Sequence, residues 1–189
     1  MQRCRILKID SDNPKPRIIK KTAQIIQNGG VVAYPTDTCY GLGADFKNSK
    51  AIEKLVEIKS RPKNKKFSVI MKDIKMIKRY CKASKEQEKF LKIHLPGPYT
   101  FILESATNNE TFAVRIPNCK ITKALSEILN KPYTATSCNK KDEPPCYDVK
   151  CIVKNLTDID LILDAGELPK NPPSKIIDLT ISPPRILRD

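Results

Sequence analysis

Apolar spacing along this chain switches repeatedly between the helical period and the strand period, and that alternation is what most narrows the folds open to it. Ile18, Ile19, Ala23, Ile25 and Ile26 suit an amphipathic helix that stops at Asn28-Gly29-Gly30, a strong termination signal. Val31-Val32-Ala33-Tyr34 follows as a short buried strand. A helix over 48–59, a strand at Phe67–Met71 and two short helical segments flanking Ala83-Ser84 come next, before Pro96-Gly97-Pro98 breaks the chain. Tyr99–Leu103 and Phe112–Ile116 read as strands bracketing a polar turn at Thr107–Glu110. A helix near Ile121–Leu129 leads to a strand at Tyr133–Thr136. A short helix near Val149–Asn155 and strands at Leu161–Leu163, Ile176–Leu179 and Ile186–Leu187 complete the series. No repeat and no linker interrupts it, and the 15 prolines punctuate loops. The economical fold is α/β: a single domain over 1–189, with a twisted, mixed, largely open sheet flanked by helices.

Length and composition exclude several classes. The 189 residues suffice for a real core, and 40% hydrophobic with 30% charged residues describe an ordinary soluble globule. No apolar run approaches the roughly 20 residues that span a bilayer, and Met1-Gln-Arg-Cys-Arg-Ile-Leu-Lys8 lacks the apolar core of a signal peptide. A cytoplasmic protein without membrane contact is expected. The 7 cysteines (Cys4, Cys39, Cys81, Cys119, Cys138, Cys146, Cys151) are odd in number and lack paired CxxC spacing, so reduced thiols are expected. A net charge of +14 favours polyanionic partners, nucleotide or RNA, although much of the excess is lysine spread over a solvated surface.

Chemistry is suggested by segments that carry polar groups off strand ends, where open α/β sheets usually bind ligands. After Tyr34, Pro35 fixes the backbone, Thr36 and Thr38 offer hydroxyls, and Gly41 and Gly43 let a ligand approach closely. The residue before Pro62 is pushed out of the α region toward extended backbone, so the preceding helix is expected to end near Lys59. In extended geometry Lys59 and Arg61 share one side and converge on a single anion, such as a phosphate chain. Ser137 and Asn139 share a face in the same way, with Cys138 turned into the packing. The single histidine, His94, sits in a Lys-rich helical stretch and reads as a surface or partly packed residue. That argues against Ser-His-Asp and Cys-His hydrolysis. Neither GxxxxGK[ST] nor GxGxxG occurs. An enzyme made of these parts works by positioning and charge neutralisation, the means of phosphoryl and nucleotidyl transfer.

The same residues resemble the YrdC/Sua5 family of threonylcarbamoyl-AMP synthases along nearly the whole chain. The matching stretches are YPTDTCYGLG (34–43), KSRP (59–62), PGPYTFIL (96–103), AVRIP (113–117), ATSCN (135–139), PSKIIDLT (173–180) and PPRILR (183–188). Lys59/Arg61 and Ser137/Asn139 correspond to the family's KxR and SxN signatures. The resemblance implies a YrdC-like, single-domain enzyme that makes threonylcarbamoyl-AMP and pyrophosphate from L-threonine, bicarbonate and ATP. A partner tRNA threonylcarbamoyl transferase complex then modifies the adenosine beside the anticodon. By the same resemblance, Lys59, Arg61, Ser137 and Asn139 act on the ATP phosphates with Mg²⁺ carried by ATP, and Thr100 and Arg188 are further nucleotide contacts. Arg115 pairs with the threonine carboxylate, Thr36 and Thr38 line the amino-acid pocket, and Ser174 is another amino-acid contact.

The chain departs from the family pattern in its loops. Lys140-Lys141-Asp142 stands where a Ser-Gly pair usually follows SxN, and Asn64-Lys65-Lys66 where many members carry Asp-Asn-Pro. Two rivals remain. A YciO-like paralogue is disfavoured by retention of both signatures. An RNA-binding module for tRNA or double-stranded RNA draws support from the +14 charge, but 6% aromatic residues and no tryptophan provide no stacking platform.

Overall fold

The computed structural model describes residues 4–62 and 66–189, so Lys63, Asn64 and Lys65 of the lysine-rich loop lie outside the described residues. The mixed α/β class holds, and its strands divide between two mixed sheets rather than one. The first has the order β1 (Arg5–Lys8), β9 (Leu161–Asp164), β2 (Val32–Pro35), β3 (Tyr40–Gly43), β8 (Thr136–Ser137). The second runs β11 (Arg185–Arg188), β10 (Lys175–Asp178), β5 (Tyr99–Glu104), β6 (Thr111–Arg115), β4 (Val69–Ile70), β7 (Tyr133–Thr134). The expected strand at Tyr133–Thr136 is thus two short strands in different sheets, hinged at Ala135. At that crossing Ala135 N–H donates to Ser68 O, while Gly41 and Leu42 pair with Ser137 and Thr136.

Strand alternation decides the layering. Val32, Tyr34, Leu161 and Leu163 face α1 (Pro16–Gln27) and α5 (Lys120–Leu129), through Ile19, Ala23, Ile26, Ile121 and Leu125. Their neighbours Val31, Ala33, Leu42 and Ile162 face α2 (Ser49–Ile58) and α6 (Val149–Asn155), through Leu55, Ile58 and Ile152. In the second sheet Phe101, Leu103, Val114 and Ile177 pack under α3 (Ile74–Tyr80) and α4 (Lys85–His94). Their partners Thr100, Ile102, Ala113, Arg115 and Ile176 point the other way, into a cavity between the sheets.

Tyr40–Gly43 forms a fully buried strand, from which Gly41 lines the cavity between the sheets. A Cβ at Gly43 would lie 2.6 Å from Cε1 of Tyr34, so this glycine makes room for the Tyr34 ring across the hairpin, not for a ligand. Two of the thiols expected to be reduced are oxidised: Cys146 and Cys151 form a disulfide. Cys146 is held by backbone bonds to Cys138 and Tyr40, while Cys151 sits in the first turn of α6, which brings their Cα atoms to 5.5 Å. Among the described residues, no helix is long and apolar enough to cross a membrane.

Candidate functional site

Helix α2 ends in a reversal that the proline argument does not foresee. Lys59 keeps helical backbone (φ −87°, ψ −4°) and Ser60 crosses to φ 48°. Ser60 N–H donates to Glu57 O at 3.0 Å and Arg61 N–H to Val56 O at 3.1 Å, the paired bonds of a Schellman end. Pro62 restricts Arg61, its immediate predecessor, and leaves Lys59 free to stay helical. The extended backbone expected over 59–61 is therefore absent, and the two cations diverge. Lys59 turns inward at 4% exposure. Its Nζ donates to Ser137 O at 2.6 Å, Asn139 O at 2.7 Å and Asn139 Oδ1 at 3.2 Å. Arg61 stays nearer the surface, donating to Lys66 O at 3.0 Å with its guanidinium 4.9 Å from the centre of the Phe67 ring. Burial pushes the Lys59 ammonium down to about 8, the neighbouring Arg61 adding to the fall and the Cys138 and Cys39 thiols opposing it.

Strand β8 delivers the second group. Cys138 is wholly buried, and Ser137 and Asn139 face the cavity, as the alternation requires. The Ser137 hydroxyl donates to Asn139 Oδ1, while Asn139 Nδ2 donates to Lys140 O and Glu143 O at 2.8 and 2.6 Å. The loop beyond is pinned at its base: Lys141 N–H donates to Lys59 O at 2.8 Å and Cys146 N–H to Cys138 O at 3.0 Å. Lys141 and Asp142 line the cavity.

At the other end, Thr36 closes its own turn. Its hydroxyl donates to Cys39 O at 2.7 Å and accepts the N–H of Thr38 at 3.1 Å. Arg115, from the last position of β6, reaches this turn and forms an ion pair with Asp37 at 3.0 Å, both side chains about nine-tenths buried. Asp37 also accepts Asn118 N–H at 2.9 Å, and its backbone oxygen accepts Asn171 Nδ2 at 3.0 Å. Arg115 Nε is buried with no hydrogen-bond partner among the described residues, a donor that a carboxylate would satisfy. Thr100, Ser174 and Arg188 form one cluster beside it. The Thr100 and Ser174 hydroxyls are 2.8 Å apart, and Arg188 Nη2 donates to Ser174 O at 2.6 Å and to Ser174 Oγ at 3.1 Å. Burial, and then the facing Arg115, hold the Arg188 guanidinium below its ordinary value.

All of these groups line one cavity of about 710 Å³: Thr36, Thr38, Lys59, Arg61, Thr100, Arg115, Ser137, Asn139, Ser174 and Arg188. That volume accommodates a small-molecule ligand. His94 is elsewhere, bonded to Phe90 O and packed against Phe90 and Tyr99. Asp37 was not among the sequence candidates, although an acid between two threonines, with a strand-borne arginine elsewhere, was a usable signal. Asn171 and Tyr147, which lie in the connections around the cavity, carried none. Asp142 is the one carboxylate among the described residues lining the cavity. The same residues contain no cluster of three His, Cys, Asp or Glu side chains suited to a metal ion.

Comparison with known proteins finds the same fold in several relatives. The Sua5/YciO/YrdC family model, described as "Telomere recombination", matches residues 24–189. The chain is 29% identical over 194 residues to the uncharacterized protein YciO of Escherichia coli, covering 96% of this chain and 93% of that one. The crystal structure of E. coli YciO superposes with a TM-score of 0.91, covering 99% of this chain and 96% of that one. Identity to the threonylcarbamoyl-AMP synthase of Vibrio campbellii is 32% over 181 residues, 89% of this chain and 97% of the relative. Sua5 of P. abyssi, crystallised with L-threonine, superposes with a TM-score of 0.89 at 29% identity, over 97% of this chain and 56% of that longer one.

Proposed function

The chain belongs to the Sua5/YciO/YrdC family, and from that membership we propose that it is an L-threonylcarbamoyladenylate synthase, a nucleotidyltransferase joining L-threonine, bicarbonate and ATP. The observation that carries this reading is a single cavity with two cationic ends: Arg115, whose Nε has no partner among the described residues, beside the Thr36–Thr38 turn, and Lys59/Arg61 beside Ser137 and Asn139. One end suits an α-amino acid carboxylate and the other a triphosphate.

No side-chain nucleophile is needed. The threonine amine and bicarbonate form a carbamate with loss of water. The carbamate oxygen then attacks the α-phosphorus in line, the bond to the β-phosphate oxygen breaks, and pyrophosphate departs. Arg115 holds the threonine carboxylate, Thr36, Thr38 and Ser174 bound its side-chain pocket, and Thr100 and Arg188 contact the nucleotide. Arg61, with the Lys59 charge behind it, offsets the charge gathering on pyrophosphate. Mg²⁺ fits as an ion carried by the ATP phosphates, where it supplies further neutralisation. The product passes to a tRNA threonylcarbamoyl transferase complex, which places the protein in the cytoplasm; direct contact with tRNA or double-stranded RNA would draw on the +14 charge.

Purified protein supplied with L-threonine, bicarbonate, Mg²⁺ and ATP is expected to release pyrophosphate in a threonine-dependent way. Folded protein that releases none would refute the synthase assignment. The overlay on E. coli YciO favours a second reading, a paralogue acting on other substrates in the same cavity; that reading predicts Mg·ATP binding without threonine-dependent turnover.

A pH dependence follows from Lys59. A phosphate favours its protonated form, which is lost above about 8. Mg·ATP affinity is therefore expected to be level near neutrality and to weaken as pH rises through 8, by at most about tenfold per unit. Unfolded chain keeps the lysine proton up to about 10.4 and so binds more protons in the intervening window. This residue's contribution to folding stability therefore rises with pH there, the sign opposite to that of binding. Calorimetric titration across pH 7 to 9 checks it, and affinity that strengthens over that range would refute it.

A further inference from the structure

We infer that Lys59 is a positioning residue whose ammonium holds the Ser137–Asn139 turn in shape, leaving Arg61 as the cation that meets the nucleotide phosphates. The inference rests on the nucleotide reading above and assigns the two cations of that site different work.

An ammonium has three N–H donors. Lys59 Nζ has three oxygens within reach, Ser137 O, Asn139 O and Asn139 Oδ1, all from the turn. To touch a phosphate it would have to give one of them up. Its own backbone oxygen accepts Lys141 N–H, so the residue is tied to the loop at both ends. The oxygens it gathers are all negative ends of dipoles, and bringing them together without a cation between them is unfavourable. The amide of Asn139 is oriented to match. Oδ1 faces the ammonium and accepts a hydrogen bond from the Ser137 hydroxyl, and Nδ2 faces the loop oxygens of Lys140 and Glu143. A single buried charge thereby sets the direction of the Ser137 hydroxyl, the Asn139 amide and the start of the loop.

Arg61 is placed differently. Its backbone leaves the helix through the Ser60 reversal, and its guanidinium lies over Phe67 nearer the cavity rim. Among the described residues it commits one nitrogen, to Lys66 O. The rest of its planar fork is suited to phosphate oxygens.

The test compares Lys59→Ala, Lys59→Met and Arg61→Ala in nucleotide-free protein by amide hydrogen exchange. The reporters are the N–H groups of Cys138, Lys141 and Cys146, which bond to Tyr40 O, Lys59 O and Cys138 O. Both Lys59 variants are expected to speed exchange there by about tenfold or more, as loss of charge-assisted bonds implies, with the strands of both sheets unchanged. Arg61→Ala should leave these amides at wild-type rates. Ethylammonium added to Lys59→Ala should restore protection, and threonine-dependent turnover with it, and should do nothing for Arg61→Ala. If both Lys59 variants keep wild-type exchange yet bind Mg·ATP more weakly, Lys59 is a direct phosphate contact and the inference is overturned. Lys59→Met, which keeps the length of the side chain, carries the comparison if Lys59→Ala does not fold. Wild-type protein that binds no Mg·ATP would sink the nucleotide reading, while the exchange comparison would still decide whether Lys59 holds the turn.

Discussion

Arg115→Met should destabilise the protein by about 3–5 kcal/mol, the cost of leaving one member of a buried ion pair alone. The charge left behind is Asp37, about nine-tenths buried and bonded beyond Arg115 to Asn118 N–H. Adding Asp37→Asn removes that charge and keeps an acceptor for Asn118, so the double variant should recover much of the lost stability in urea unfolding. Activity should not follow. The guanidinium is also the proposed partner of the threonine carboxylate, and kcat/KM for threonine should stay about 100-fold or more below wild type in the double variant. This separation of stability from turnover is the point of the pair. An Arg115→Met protein as stable as wild type would show that Asp37 is not an uncompensated charge, and a double variant with full turnover would remove Arg115 from the amino-acid site.

Arg61→Ala should behave in the opposite way. The side chain is partly exposed, and its packing over Phe67 is worth about 0.5–1 kcal/mol, so Tm should move little. Loss of the cation proposed to meet the departing pyrophosphate should lower kcat/KM for ATP by about 100- to 1,000-fold. Arg61→Lys should recover only part of this, because an ammonium replaces a planar fork with a point charge and loses the ring contact. Pyrophosphate release measured against ATP concentration, with threonine saturating, checks both variants. Full turnover in Arg61→Ala would remove the phosphate-clamp role.

The buried run Val31–Tyr34 was legible in the sequence because four consecutive apolar residues mark a strand covered on both faces; which of them meet which helices, Val32 and Tyr34 on one side and Val31 and Ala33 on the other, shows only in the structure. Tyr40–Gly43 was not legible as a strand. Its glycines suppress the strand signal, and the reason for them, the Tyr34 ring on the neighbouring strand, is a non-local contact. The Cys146–Cys151 bond was hidden for a similar reason, since the backbone bonds that place Cys146 come from Tyr40 and Cys138.

For the site, the residue types around the cavity were readable but their geometry was not. Ser137, Cys138 and Asn139 followed from alternation alone. Lys59 and Arg61 were grouped for the wrong reason: proline acts on the residue directly before it, and the reversal at Ser60 sends the two side chains to different depths. Asp37 escaped because its meaning lies in Arg115, 78 positions away.

The split between β7 and β8 makes chain length, more than residue identity, the sensitive quantity between Tyr133 and Asn139. These few positions join one sheet, cross at Ala135 and join the other, with hydroxyl and amide groups on the cavity side and Cys138 on the core side. Inserting or deleting one residue there would exchange the two sides, driving the Ser137 hydroxyl into apolar packing and presenting a thiol to the cavity. Substitutions in this segment should act locally. A frame change of a single residue should act on the site, the crossing and both sheets together.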